Sequence, residues 1–297
     1  MPSLNLSGIY PPIPTPFDDK RDVDLDRLRE NLIHWCEIEL AGFVVLGSNG
    51  EAVHLTRAEK RAVLQAARET IPRGRLFIAG TGAQSTRVTV QLTQEAADLG
   101  ADAALVTPPH YYRPRMDTAA LARHYFALAD AAPIPILIYN MPAYTGIDLT
   151  AEQILQLAQH SNIVGIKDSG GSLAKIGAVI YGAPEGFQVL AGSASFLYPA
   201  MALGAVGGVC ALANVAPKEC CRMANLVQAG DHHAAQKLQL RLIAPNTAVT
   251  SQFGVPGLKQ ALDWTGYYGG PARSPLGALR EEERKELRRV LVEAGLV

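Results

Sequence analysis

Most of the features that announce a macromolecular partner are missing from this chain. Its 28 acidic and 27 basic side chains nearly cancel, leaving a net charge of −1. No cluster of Lys and Arg is interleaved with aromatics, which are only 6% of the residues, so the basic, stacking surface of a nucleic-acid binder is excluded. No apolar run approaches the roughly 20 residues that span a bilayer. The start, "MPSLNLSGIYPPIPTP", carries neither a basic segment leading into an apolar core nor an Arg-rich amphipathic stretch, so no targeting segment is read there. The four cysteines, Cys36, Cys210, Cys220 and Cys221, lack metal or redox spacing and read as plain thiols of a reducing, cytoplasmic protein. The seven histidines, including the adjacent His232 and His233, show no ligand spacing. Neither a metal nor a cofactor is therefore expected.

What the chain does have is a repeat. It is 297 residues long and 48% hydrophobic, enough for one large core or two modest ones. Short runs rich in Val, Ile, Leu and Ala recur: "GIYPPIPTP", "GFVVLGS", "RLFIAGTG", "AALVTPP", "PILIYNMP", "IVGIKDS", "QVLAGS" and "GGVCALAN". They show no polar alternation, the pattern of strands buried on both faces. Between them lie stretches such as "DLDRLRENLIHWCEIE" and "TRAEKRAVLQAARETI", with apolar positions at helical spacing and polar starts. Eight strand–helix units at this length predict an α/β fold, a (β/α)8 TIM barrel with additional C-terminal helices. The barrel is expected over residues 1–215, and a helical segment packed on it over 216–297. An open doubly wound sheet is the structural alternative, without a GxGxxG fingerprint to support it.

In a barrel the active site lies at the C-terminal ends of the strands. The last positions of the apolar runs are Thr15, Ser48, Asn49, Tyr111, Tyr139, Lys167, Ser169, Ser193 and Asn214, mostly hydroxyls and amides with one lysine. If side chains alternate regularly, Ile163, Gly165 and Lys167 share the barrel interior with Leu137 and Tyr139 and with Val44, Leu46 and Ser48. Lys167 and Tyr139 then sit side by side on adjacent strands. Burial disfavours a charged amine, and a neutral amine is what attacks a ketone to give a Schiff base. A neighbouring phenol can carry the proton. The alternative for Lys167 is an ion pair with Asp168 or extension into solvent. "GSNGE" offers Ser48, Asn49 and loop N–H groups to a carboxylate; the same pattern also serves as a helix cap.

"GSNGE", "PPHYYRPRM", "YNMPAYTG", "GIKDSGG" and "GGVCALANV", in this order and spacing, resemble the pyruvate-dependent Schiff-base aldolases of the dihydrodipicolinate synthase and N-acetylneuraminate lyase superfamily. "KDSGG", "VLAGSA" and "DWTGYYGGP" resemble its 4-hydroxy-2-oxoglutarate aldolase branch in particular. The resemblance implies Lys167 as the Schiff-base lysine and Tyr139 as the proton-transfer tyrosine. Ser48 and Asn49 would hold the substrate carboxylate. Tyr111 would reach into a neighbouring subunit's site, and Ser169, Ser193 and Val209 would line the pyruvate pocket. It further implies a homotetramer, a dimer of dimers, acting on a small 2-oxo acid with no nucleic-acid or membrane partner.

The activity so implied is retro-aldol cleavage of 4-hydroxy-2-oxoglutarate to pyruvate and glyoxylate. Tyr144 stands where the synthases carry a carboxylate-binding arginine, and Ser48 and Asn49 stand where they carry two threonines. Both departures count against synthase activity, since a phenol does not replace a bidentate guanidinium. Dihydrodipicolinate synthase and a 2-oxo-3-deoxy sugar-acid lyase remain as sibling alternatives, and a non-catalytic pyruvate-binding barrel as one of another class.

Overall fold

Each of the eight apolar runs contains a strand that is shorter than the run itself. The computed structural model describes residues 4–297. Its strands are β1 (Gly8–Tyr10), β2 (Gly42–Val45), β3 (Leu76–Gly80), β4 (Ala103–Val106), β5 (Ile136–Asn140), β6 (Ile163–Asp168), β7 (Gln188–Ala191) and β8 (Gly207–Val209). From β2 to β8 each strand pairs in parallel with its neighbour in the chain, and β1 pairs with β8. The seam between β1 and β2 is the narrowest, because Pro11 and Pro12 have no N–H to give. It holds a Pro12–Val44 bridge, with Ala41 N–H donating to Ile9 O at 3.0 Å, Val44 N–H to Pro11 O at 3.1 Å and Ile13 N–H to Val44 O at 2.9 Å. The result is a nearly closed (β/α)8 barrel, and the β1–β8 pairing together with the Pro12–Val44 bridge rules out the open sheet. A side chain at Gly207 would run into the backbone of Gly8, so closure there requires glycine.

The outer layer follows the polar starts read from the sequence. Helices α1 (Leu25–Cys36), α3 (Thr86–Asp98) and α4 (Thr118–Ala131) are capped by Asp24, Ser85 and Asp117, and α2 (Arg57–Thr70) by a Thr56–Glu59 capping box. Shorter helices follow: α5 (Pro142–Thr145), α6 (Ala151–Leu157), α7 (Leu173–Gly182) and α8 (Leu197–Ala202). Beyond β8, α9 (Pro217–Gln228) packs against α8 and β1, in the place of the barrel's eighth helix. Then come α10 (His232–Thr247), a π-helical turn Ala248–Gln252, α11 (Gly254–Trp264) and α12 (Glu281–Glu293). Pro245 lies inside α10, three residues before the π turn, where its missing N–H loosens the ladder. Among the described residues no helix is long and apolar enough to cross a membrane.

Two apolar clusters result, one filling the barrel and one between strands and helices. Strict alternation fails at two positions. Ile163 belongs to the outer cluster and Val164 packs on the inner one, because the β5–β6 register slips between Ile136 and Leu137, pairing them with Ile163 and Gly165. Leu46, expected inside, takes a left-handed φ of 59° and also joins the outer cluster. Above the slip the alternation resumes, and Tyr139 sits directly opposite Lys167.

The C-terminal helices are fastened to the barrel at named points. Trp35 of α1 is wholly buried, stacks on Tyr267 at 5.0 Å and donates its Nε1–H to Asn214 O at 3.0 Å. Truncating such a residue costs about 3–5 kcal/mol. Arg273 forks the Glu59 carboxylate at 2.7 and 3.0 Å. That guanidinium holds the Glu59 carboxyl down to about 2, from an ordinary 4.5. A carboxyl depressed in the folded state adds stability that is complete above its unfolded value and is lost as pH falls toward the folded one. The thermal midpoint should therefore drop between about pH 5 and pH 2, and Glu59→Gln should flatten that part of the profile. An identical profile for the variant would place the acid sensitivity elsewhere.

Candidate active site

The strand ends open into one cleft. Ser48 and Asn49 after β2, Tyr139 of β5, Lys167 and Ser169 at the end of β6, and Val209 of β8 all line it. Lys167 is the only charged residue among the lining residues. Its side chain is 4% exposed, and its amine lies over the Tyr139 ring at 4.0 Å from the centroid. The Tyr139 hydroxyl is 3.3 Å from Ser48 Oγ. A continuous path of amine, phenol and hydroxyl thus runs from β6 through β5 to the loop after β2.

Asp168, the neighbour that could have neutralised the lysine, points to the other side of the sheet. Its carboxylate lies 3.2 Å from Lys175 Nζ and accepts from Asn140 Nδ2 at 3.0 Å and from Gly170 N–H at 2.7 Å. Lys175 also pairs with Asp148, which accepts from Asn140 Nδ2 at 2.8 Å. Alternation explains the division, since consecutive residues of a strand face opposite sides. Lys167 is left without a carboxylate within 4.0 Å among the described residues.

Other strand-end residues serve the scaffold. Thr15 donates to Gly50 O at 2.7 Å, and Asn214 donates to Pro12 O at 3.1 Å and Ala211 O at 2.9 Å. Ser193 is not a lining residue: it caps a short turn and accepts from Asn246 Nδ2 of α10 at 2.9 Å. Gly192 lines the cleft in its stead, packed so closely that a methyl would collide with Ser169 Oγ and Asp168 O. Tyr111 stands outside this chain's own cleft, 77% exposed, its backbone N–H held by Gln84 Oε1 at 2.8 Å.

The strand-end filter misses one wall altogether. Val249 and Thr250 of the π turn, with Gly254 and Val255 at the start of α11, face the cleft, and Met141 and Tyr144 form part of its rim. The signal for that wall was the broken helical pattern in "APNTAVTSQFGVPG", where prolines and a glycine interrupt the periodicity.

The dihydrodipicolinate synthetase family profile matches residues 5–294. The chain belongs to this family. It is 37% identical over 294 residues to a probable mitochondrial 4-hydroxy-2-oxoglutarate aldolase of Emericella nidulans, covering 97% of this chain and 95% of that one. It is 36% identical over 287 residues to a 4-hydroxy-tetrahydrodipicolinate synthase of Methanothrix thermoacetophila, covering 96% and 95%. The structure of a dihydrodipicolinate synthase from Acinetobacter baumannii complexed with pyruvate superposes with a TM-score of 0.94 at 32% identity, covering 99% of this chain and all of that one. As a member of the dihydrodipicolinate synthetase family the chain is an enzyme, a carbon–carbon lyase of the type that acts through a lysine Schiff base with a 2-oxo acid.

The arrangement behind β6 makes a prediction that is independent of turnover. Removing one partner of a buried ion pair costs about 3–5 kcal/mol, so Asp168→Ala should lower the free energy of urea unfolding by about that amount. In double-mutant cycles it should couple to Lys175→Ala and not to Lys167→Met. Coupling to Lys167 instead would mean that Asp168 is that lysine's partner.

Proposed function

We propose that the protein is a class I pyruvate-dependent aldolase that cleaves 4-hydroxy-2-oxoglutarate to pyruvate and glyoxylate, with Lys167 as the Schiff-base lysine and Tyr139 as the proton carrier. The observation that carries this reading is the Lys167 amine itself. It is buried, unpaired with any carboxylate, and stacked on a phenol whose oxygen is 3.3 Å from Ser48.

The steps follow from that geometry. The Lys167 amine adds to the C2 ketone, Tyr139 gives its proton to the carbinol oxygen, which departs as water, and a protonated imine forms beside the resulting phenolate. Tyr139, relayed by Ser48, takes the proton of the C4 hydroxyl. The C3–C4 bonding pair then flows into the imine, releasing glyoxylate and leaving an enamine. Protonation at C3 and hydrolysis of the imine free pyruvate and regenerate the amine. The Ser48 hydroxyl and Asn49 amide, with the first N–H groups of their turn, hold the C1 carboxylate. Ser169 and Val209 flank the pyruvate half, and Ser193 supports that wall through Asn246. Exposed Tyr111 completes the relay in a neighbouring subunit of a homotetramer, in the cytoplasm.

The rim lacks the bidentate arginine that the resemblance assigns to the synthases, and it offers hydroxyls to the second half of the substrate, which in 4-hydroxy-2-oxoglutarate also carries a carboxylate. Tyr144 and Thr250 supply hydroxyls, and no arginine lines the cleft. The same hydroxyl rim supports a second reading, a lyase for a 2-oxo-3-deoxy sugar acid.

Purified protein in EDTA should release pyruvate from 4-hydroxy-2-oxoglutarate faster than from a 2-oxo-3-deoxy hexonate, and should not condense pyruvate with aspartate semialdehyde. Lys167→Met should abolish release, and Tyr139→Phe should lower kcat roughly 10²- to 10⁴-fold. Near-normal turnover by Lys167→Met would sink the assignment of the lysine. Faster cleavage of the hexonate would move the enzyme to the sugar acids.

A further inference from the structure

A second lysine is buried more completely than Lys167, and it does have a carboxylate. Lys259 of α11 and Glu51, which follows the Ser48–Gly50 turn, are 1% and 2% exposed. Lys259 Nζ lies 2.7 Å from Glu51 Oε1, close but poorly aligned, so the contact is an ion pair more than a directed hydrogen bond. The same amine donates to Pro271 O at 2.9 Å and sits over the Phe17 ring at 4.3 Å. Glu51 Oε2 accepts the backbone N–H of Arg273 at 2.8 Å and lies 3.4 Å from His54 Nδ1. Arg273 places its guanidinium over Phe17 as well, 4.4 Å from the centroid.

This is a costly way to make a joint. Two charges taken out of water recover their hydration only with close pairing and further hydrogen bonds. Burial draws the Lys259 amine down to about 8 even with Glu51 holding it up. Glu51 in addition takes a left-handed φ of 51°, where a side chain is strained. An apolar contact of the same volume would fasten a helix to a loop without either cost, so the location of the pair needs a reason.

The location is the hinge between the two walls of the cleft. Glu51 lies two residues after Asn49, on the loop that forms one wall. Lys259 lies one helical turn after Val255, on the helix whose start forms the other. We propose that Glu51 and Lys259 are positioning residues of the aldolase: their buried ion pair fixes the Ser48–Asn49 turn relative to Val249–Val255, and so sets the width of the cleft around the 2-oxo acid. Neither side chain lines the cleft, and both act through the residues that do. The inference rests on the reading of Ser48 and Asn49 as the carboxylate cradle.

The test compares Glu51→Gln, Lys259→Met and the double variant with wild type, in kcat, KM, calorimetric binding of pyruvate and thermal midpoint. Loosening a supporting contact costs roughly 10- to 100-fold in function. Each single variant should raise KM and the Kd for pyruvate about tenfold or more, with kcat within about threefold. The double variant, with no unpaired charge left, should regain much of the thermal midpoint but not the KM. Lys259→Arg, which keeps the charge, should restore part of the affinity. If the single variants do not fold, the double variant alone decides: a wild-type KM and pyruvate affinity in it overturn the proposal. Single variants that lose thermal stability and keep KM overturn it too. Wild-type protein that neither binds pyruvate nor releases it from any 2-oxo acid would refute the function itself, an outcome distinct from failure of the clamp.

Discussion

An amine held inside an apolar barrel without a carboxylate beside it is the constraint around which the rest of the molecule is arranged. A charged ammonium in such a place is unfavourable by several kcal/mol unless something pairs with it. The usual remedy is at hand in the next residue, Asp168, and the fold withholds it. Strand alternation turns Asp168 outward, where Lys175 and Asn140 engage it. The face of the Tyr139 ring is what remains beside the Lys167 amine. The isolation of this amine from a carboxylate follows from the way β6 is built.

The two buried lysines make the point by contrast. Lys259 has a carboxylate at 2.7 Å, a carbonyl at 2.9 Å and an aromatic face, and lies behind the cleft. Lys167 has only the aromatic face, and lies in it. Identical side chains at similar burial are thereby given different surroundings. The difference is set by strand and helix geometry that places a carboxylate beside one and only an aromatic ring beside the other.

Much of this was legible in the chain itself. Eight unbroken apolar runs at regular spacing read as parallel strands buried on both faces, and their number pointed to a barrel while leaving an open doubly wound sheet as the alternative, which the β1–β8 pairing and the Pro12–Val44 bridge exclude. Lys167, Tyr139, Ser48 and Asn49 were legible because they end such runs. Strict alternation was misleading at Ile163 and Leu46, because a register slip and a left-handed backbone angle are tertiary adjustments without a local sequence signature. The wall formed by Val249, Thr250, Gly254 and Val255 was hidden for another reason. It comes from the helices beyond the barrel, and which part of a helical segment folds back over a cleft depends on packing that periodicity does not record. Ser193 was drawn into the site by its position in "VLAGSA", whereas Gly192 beside it has the backbone approach the cleft requires.

The central claim is that the Lys167 amine is the one that condenses with a 2-oxo acid. The most direct measurement is borohydride reduction of the protein in the presence of pyruvate, followed by peptide mass spectrometry. The account predicts a single reduced pyruvyl adduct, on Lys167 alone, and none on Lys259 or Lys175. An adduct on a different lysine, or an unmodified Lys167 in protein that is turning substrate over, would contradict it.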